Sequence, residues 1–250
     1  MSMDFIRKLF SDGEGPTERQ ISRALKAVVQ THGDAANRVA AMERLASWKT
    51  PESAAALLRR FTIQVPQETM DLEEKQYTVR LLTGMGRAAV EPIRNFLRTE
   101  SEVTWPMRAL REILPGEEFI AVLKETLETL DRSYTRWPEA KVAMIEHLPE
   151  QALPHVRETL LRFLQDEDDD VCIAAAYYLA RSGDEEIRER LLETLLNAEA
   201  RPRVRGRIFE LFCEREWPVK GYRKRVEEVL QEPFYLTAKG IVKRRVDGPR

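Results

Sequence analysis

Apolar and polar residues recur along most of this chain with the spacing of amphipathic helices, and the helices come in pairs. The last large apolar residue of each first helix serves as an anchor, and successive anchors lie 37, 32, 34, 31 and 33 residues apart. The anchors are Leu45, Leu82, Leu114, Leu148, Leu179 and Phe212. A second amphipathic helix follows each anchor, as in "EEIRERLLETLL". The pattern predicts about six helical hairpins, which is typical of a repeat protein.

Short breaks rich in proline or glycine separate the paired helices. They read "KTPES" (49–53), "TGMGR" (83–87), "LPGEE" (114–118), "LPEQA" (148–152) and "RSGDEE" (181–186). Such breaks end one helix and cap the next. Gly84 and Gly86 do not indicate a phosphate-binding loop, because no strand precedes them and the third glycine of that motif is missing. The breaks therefore predict turns between helices.

Three aspartates precede a run of alanines in "DDDVCIAAAYYLARSGDEEIRERLLETLL" (168–196). The start of a helix carries free N–H groups and a positive dipole end, so aspartates there cap the helix that begins near Val171. The alanines at 174–176 let neighbouring helices approach closely. The acidic run "DEDDD" (166–170) lacks the turn glycine and the closing glutamate of a calcium loop. The segment therefore predicts a capped helix that packs closely on its neighbours, and not a calcium site.

This segment, together with "RPRVRGRIFELF" (201–212) and "GRAAVEPIRNFL" (86–97), resembles the short HEAT-repeat family of bacterial proteins, the type also seen in phycobilin-lyase-like repeats. The resemblance covers about residues 34–231, and residues 17–31 look like an N-terminal capping helix. It implies an all-α fold, a right-handed α-solenoid of armadillo-like hairpins whose second helices line the concave face. It leaves residues 1–232 as one domain and residues 233–250 as a basic tail or a small hairpin around Lys239 and Gly240.

The resemblance also implies a column of cations seven residues before each anchor. The family's arginine stacks there against an acid of the preceding repeat. The column reads Arg38, Lys75, Lys141, Cys172 and Arg205, with Arg108 displaced by one position. Cys172 departs from the pattern, which weakens a continuous ladder at that repeat.

Composition agrees with a helical protein, because charged residues make up 33% of the chain, apolar residues 43%, and glycines number only 11. No stretch of about 18 uncharged apolar residues occurs, and the start "MSMDFIRKLF" is too short and too charged for a signal peptide. We therefore expect a cytoplasmic protein without stable membrane insertion. Cys172 and Cys213 have no partner at metal-ligand spacing and are expected to be packing residues.

No motif in the chain points to catalysis. The three histidines have no carboxylate pair at ligand spacing, and neither cysteine has a histidine near it in sequence. We expect no catalytic residue, no metal site and no cofactor. An enzyme such as a lyase or a DNA-repair glycosylase would need a pocket of converging polar groups assembled across repeats, and the sequence leaves that alternative open.

One column on the second helices is a candidate binding surface. It reads Arg59, Arg94, Lys124 and Arg157 in the first four repeats, then Glu193 and Glu227. If the column faces the concave groove, its guanidinium groups can clamp the carboxylates of an acidic protein segment. A solvated helix edge gives the same residues, so both interpretations stay open. The prediction is a non-enzymatic scaffold that binds a protein partner.

The net charge of −2 hides an uneven distribution. Residues 201–250 contain 14 Lys and Arg against 7 Asp and Glu, a net of +7, so residues 1–200 carry −9. This basic end raises nucleic-acid binding as an alternative function. Its candidate residues are Arg205, Arg207, Arg223, Lys224, Arg225, Lys243, Arg244 and Arg245.

Overall fold

A computed structural model describes residues 15–132, 137–197 and 201–245. The start of the chain, to which the prediction about a signal peptide applies, lies outside these ranges, as do residues 246–250. The described chain is dominated by α-helices with one short pair of strands, so the predicted all-α fold class is confirmed. The right-handed sense and the repeat count remain predictions. The chain divides into two compact units, residues 1–122 and 123–250, and the predicted domain boundary at 232 likewise remains a prediction.

The first unit consists of consecutive helices joined by short turns. They are α1 (Glu18–Val28), α2 (Ala35–Trp48), α3 (Pro51–Leu58), α4 (Glu68–Met85), α5 (Val90–Thr99), α6 (Thr104–Ile113) and the start of α7 (Gly116–Asp131). Short 3-10 turns at Arg59–Thr62 and Gly86–Ala89 extend α3 and join α4 to α5.

The helices of the first unit form two layers. The first helices α2, α4 and α6 pack on one another in order, while the second helices α3 and α5 pack side by side. The anchors Leu45, Leu82 and Leu114 are all buried between the layers. Helix α1 packs on α2 and α3, as expected for an N-terminal capping helix.

Side chains at the breaks start these helices. The Thr17 side chain accepts a hydrogen bond from the Gln20 N–H, and the Gln20 side chain accepts one from the Thr17 N–H in return. Thr50 and Ser53 form the same reciprocal box at the start of α3, where Pro51 occupies the first turn. A proline fits there because the first N–H groups of a helix have no partner within the helix.

The second unit repeats the paired arrangement. Its helices are the end of α7, then α8 (Pro138–Glu146), α9 (Leu153–Phe163), α10 (Asp169–Leu179), α11 (Glu185–Asn197), α12 (Pro202–Glu214) and α13 (Arg223–Val229). The first helices α8, α10 and α12 pack in order, and α9 and α11 follow as second helices. The anchors Leu148, Leu179 and Phe212 are buried. Gly183 ends the turn after α10 at φ +67°, a backbone conformation that favours glycine.

A small antiparallel hairpin follows α13. Its strands β1 (Phe234–Leu236) and β2 (Val242–Arg244) pair with Leu236 opposite Val242. Phe234 and Val242 are buried, and the Phe234 ring stacks on Phe209 of α12 at 5.4 Å between centroids. The hairpin therefore packs on the last repeat. Within the described ranges, no helix is long and apolar enough to cross a membrane.

Candidate interaction surface

Buried charged side chains hold the first unit together around Glu74 of α4. Arg38 is 2% exposed and donates hydrogen bonds to the Glu74 carboxylate from Nε at 3.0 Å and from Nη2 at 2.7 Å. Its Nη1 donates to the carbonyl oxygens of Gln30 and Gly33. Arg38 therefore ties α2 both to α4 and to the turn that follows α1.

Arg60 completes this network. It is 0% exposed and donates to Glu74 and to Asp71, each at 2.8 Å. Asp71 also accepts from the Val65 N–H and pairs with Lys75. Burial by itself would raise the pKa of both carboxyls, but hydrogen bonds from these cations outweigh it and hold the pKa of Asp71 and of Glu74 below the usual range. The network is buried, so its role is structural.

The cation column implied by the HEAT resemblance makes contacts in the opposite direction from the one expected. Arg38 pairs with Glu74 on the following first helix, not with an acid of the preceding repeat. Lys141 of α8 likewise pairs with Asp166, just before α10, at 2.7 Å. The implied direction is wrong at these two positions, because the carboxylate that each cation reaches lies on the following hairpin.

The other members of that column have separate surroundings. Lys75 pairs with Asp71 of its own helix, and the Arg108 guanidinium lies over the Trp105 ring. The Cys172 thiol is buried and donates to the Leu164 carbonyl, and burial raises its pKa to about 11. Arg205 is half-buried, and its Nε has no hydrogen-bond partner among the described residues.

The three aspartates before α10 each have a distinct contact. Asp168 is the helix cap and accepts from the N–H groups of Asp170 at 2.9 Å and Val171 at 3.1 Å. Asp169 pairs with Arg201 at 2.6 Å, and Asp170 binds Arg203 through both of its oxygens. The run therefore caps one helix and attaches the next first helix, α12, to it.

In the first unit, the two predicted binding residues both lie near acids. Arg59 begins the 3-10 turn after α3 and pairs with Glu100 at 2.5 Å, although its side chain is 44% exposed. Arg94 of α5 lies 3.5 Å from Glu91 and is mostly buried. These contacts leave Arg59 more available to a partner than Arg94.

In the second unit, Lys124 and Arg157 also differ in exposure and in how closely acids pair with them. Lys124 of α7 lies 3.9 Å from Glu128, a long contact between two partly exposed groups. Arg157 of α9 binds Asp184 at 2.7 Å and Glu186 at 2.8 Å. Its hydrogen bond lowers the pKa of Asp184 to about 2, and Asp184 in return raises the pKa of Arg157. Arg157 therefore links α9 to the start of α11 through two ion pairs.

An open groove of about 760 Å³ lies on the second-helix layer of the second unit. It runs between α9 and α11 and ends at the start of α12. Its lining residues are Glu158, Leu161, Arg162, Leu164, Gln165, Arg190, Glu193, Thr194, Asn197, Arg201 and Val204. Of these residues, only Glu193 belongs to the predicted second-helix column, as its acidic continuation. The others have no motif, and the helical spacing of Glu158, Arg162 and Gln165 is the only signal that relates them.

The groove carries both signs of charge with short local pairs. Arg162 pairs with Asp131 at 2.7 Å, and Arg190 pairs with Glu193 at 3.2 Å. The exposed fractions of the Arg162 and Arg190 side chains are 49% and 55%, so both can reorient toward a ligand. Arg201 Nη2 is buried and has no hydrogen-bond partner in the part of the chain that the structure describes.

The candidate nucleic-acid residues near the C-terminus are partly neutralised. Arg207 pairs with Glu210, Arg223 with Glu227, Lys243 with Glu216, and Arg245 with Glu232. Within the described ranges, three exposed cations of this set have no ion pair, namely Lys224, Arg225 and Arg244. The basic end is therefore a weaker anion-binding surface than its sequence suggests.

Comparison with known families matches residues 135–211 to HEAT repeats. The match runs from α8 to most of α12, so it contains both helices that line the groove and both layers of the second unit. The comparisons with curated proteins and with solved structures found no match. HEAT repeats commonly mediate interactions between proteins, since their stacked helices present extended surfaces.

Proposed function

We propose that this chain, whose residues 135–211 match HEAT repeats, is a non-enzymatic interaction protein that holds a segment of a protein partner in the groove between α9 and α11. The groove itself is the observation that carries the proposal. It is open, it is large enough for several side chains, and it lies on the second helices that the family resemblance assigns to the concave face. A cytoplasmic location and a bacterial source accompany the proposal as predictions.

The chemistry of the groove suits a polypeptide ligand. The amide side chains of Gln165 and Asn197 can each donate and accept, which matches the N–H and C=O groups of an extended backbone. Arg162 and Arg190 can bind carboxylates in a two-pronged geometry, so an acidic segment is the favoured ligand. Leu161 adds a half-exposed apolar contact to the polar lining.

The predicted basic residues contribute to this function unequally. Arg59 and Lys124 are the most available, because each has a substantially exposed side chain. We expect them to raise the association rate of an acidic partner more than its final affinity, because exposed charges outside a binding groove act mainly through long-range attraction. Arg94 and Arg157 are less exposed, and Arg157 binds two carboxylates, so we expect these two mainly to position their helices.

Capture of partners by groove variants tests the proposal. The tagged full-length chain is incubated with extract of its native cell, with and without nuclease, and recovered proteins are identified by mass spectrometry. The test variant is Arg162→Glu with Arg190→Glu. The matched control is Arg87→Glu with Arg111→Glu, which makes the same charge change at exposed positions of the first unit.

We expect a protein that binds in stoichiometric amount, survives nuclease, is retained by the control and is lost from the groove variant. Thermal unfolding of each variant verifies that the fold is intact. Recovery of nucleic acid, with all bound proteins released by nuclease, would favour the basic C-terminal end instead. Retention of the partner by the groove variant would refute the groove as its site.

A further inference from the structure

A second cleft lies on the other layer of the second unit, between the first helices α8 and α10. Two adjoining cavities of about 260 Å³ each share Val142, Glu146 and Asp170 in their linings. Helices α8 and α10 pack directly on each other, so the cleft is a groove along their outward faces. None of its lining residues belongs to the groove between α9 and α11.

The floor of this cleft is apolar and accessible. Val142 and Ala143 of α8, and Ile173, Ala174 and Tyr177 of α10, all line it and are all only partly buried. Ile173 and Ala174 repeat Val142 and Ala143 after 31 residues, the same step that separates the anchors of these hairpins. The small alanine side chains leave room in the cleft for side chains of a partner. Covering this accessible apolar surface is favourable, because it removes apolar atoms from water.

The rim of the cleft is acidic along α8, whereas one exposed cation, Arg181, lines the first of the two cavities from the turn after α10. Glu139 and Glu146 of α8 are exposed, and neither has an ion-pair or hydrogen-bond partner among the described residues. Asp168 serves as a helix cap, and Asp170 is neutralised by Arg203. The two free carboxylates therefore set the charge that a ligand meets along α8, while the Arg181 guanidinium lies on the α10 side, 4.9 Å from the centre of the Tyr178 ring.

The spacing of these carboxylates defines the ligand. Glu139 and Glu146 are seven residues apart on α8, so they lie on one helix face about 10.5 Å apart along its axis. A partner helix with two basic residues seven positions apart, and apolar residues on the same face between them, matches both the carboxylates and the floor. We propose that this cleft binds a basic amphipathic helix of a partner protein.

The acidic cleft does not continue onto the next hairpin. The positions on α12 that correspond to Asp170 and Ala174, 33 residues later, are Arg203 and Arg207. The guanidinium of Arg203 is exposed at this boundary, where it pairs with Asp170. A basic ligand is therefore favoured along α8 and repelled at Arg203, which limits the site to one pair of hairpins.

A designed peptide tests this site directly. The probe is a fluorescent helical peptide of about 18 residues, long enough to form a helix, with leucines on one face and lysines at two positions seven apart. Its twin carries glutamates in place of the two lysines. Fluorescence anisotropy with the full-length protein, at low and at moderate salt, measures both affinities. We expect the lysine peptide to bind about tenfold more tightly at low salt than its twin.

Protein variants show whether the cleft is responsible. Glu139→Lys with Glu146→Lys should reverse the preference between the twin peptides, since both residues are exposed and the fold does not need them. The matched control is Glu189→Lys with Glu228→Lys, the same charge change at exposed positions of α11 and α13. Ala174→Met fills the floor without any change of charge and should weaken the lysine peptide severalfold.

Three results would overturn the proposal. Equal affinity for the twin peptides would mean that the carboxylates do not select the ligand. An unchanged preference in the Glu139→Lys, Glu146→Lys variant, or the same change in the control variant, would mean that any binding occurs elsewhere. The groove variant Arg162→Glu with Arg190→Glu should leave binding of the lysine peptide unchanged, so failure of the proposed function and failure of this inference are distinguishable.

Discussion

Glu74 is the carboxylate on which two buried guanidinium groups depend. Arg38 and Arg60 both bind it, and both are almost inaccessible to solvent. A buried ion pair gains little over an apolar pair, but removal of one partner leaves the other charge buried without compensation. The free energy of unfolding therefore depends more strongly on this carboxylate than on any exposed one.

Glu74→Gln should lower the free energy of unfolding by about 3–5 kcal/mol, because it leaves two guanidinium groups facing a neutral amide. Urea unfolding of the full-length protein, followed by circular dichroism, measures the change. Glu73→Gln is the matched control, since Glu73 is exposed one residue earlier on the same helix. A similar loss in both variants would contradict the assigned role of the network.

The ion pair between Asp184 and Arg157 predicts how the stability of the folded protein depends on pH. The hydrogen bond from Arg157 lowers its pKa to about 2, from the usual 3.8. A lowered pKa in the folded state means that the stabilisation is present above the unfolded-state pKa and is lost as the pH falls toward 2. Arg157→Gln should therefore move the pKa of Asp184 back toward 3.8.

The pKa of the Asp184 carboxyl can be followed by ¹³C NMR titration of the native protein and of Arg157→Gln. Arg190→Gln is the control, because Arg190 lies on α11, the helix that Asp184 precedes, but pairs with Glu193. A pKa that stays near 2 in Arg157→Gln would show that the backbone N–H of Ile187 and the Ser182 hydroxyl, and not Arg157, hold the carboxylate ionised.

At the start of helix α10, one aspartate caps the helix and another forms an ion pair. Asp168 accepts two backbone hydrogen bonds at the helix start, whereas Asp170 binds the exposed Arg203. Asp168→Ala should cost about 1 kcal/mol of stability. Asp170→Asn should cost less, because exposed ion pairs contribute about 0–1 kcal/mol. Urea unfolding of the two variants compares them, and an equal or reversed order would contradict the assigned roles.

The sequence predicts most of the elements because their signals are local. The spacing of Leu148, Leu179 and Phe212 is a property of periodic burial, and all three are buried as predicted. The aspartate run predicted a capped helix that begins near Val171; α10 begins at Asp169, two residues earlier, and Asp168 alone of the three caps it. The cap itself was predictable, since capping involves residues only two or three positions apart.

Contacts between elements were harder to predict. Arg60 follows α3 in a 3-10 turn and binds acids on α4, and nothing in its neighbouring residues indicates that it is fully buried. The direction of the Arg38 contact was wrong for a related reason, because the sequence gives the position of the cation but not the helix that provides its partner. The groove between α9 and α11 depends on side-chain conformations across two hairpins, so helical periodicity does not reveal it.

In the molecule as a whole, many of the basic residues that the sequence places near the C-terminus are paired with acids. The last 50 residues are strongly basic in sequence, yet Arg201 and Arg203 pair with Asp169 and Asp170 of the preceding hairpin. These two cations therefore link neighbouring repeats, and Arg207, Arg223, Lys243 and Arg245 pair with acids of the same segment. This favours protein over nucleic acid as the partner in our proposal, with an acidic segment in the α9/α11 groove and a basic helix on the α8/α10 cleft.

Hydrogen–deuterium exchange of the full-length protein, alone and with the protein recovered by capture, tests the central proposal most directly. Binding in the groove should slow exchange in residues 158–165 and 190–197, which belong to the ends of α9 and α11 that line it. Residues 35–48 of α2, on the first-helix layer of the other unit, serve as an internal reference. Protection confined to residues 201–245, or no protection in α9 and α11, would contradict the account.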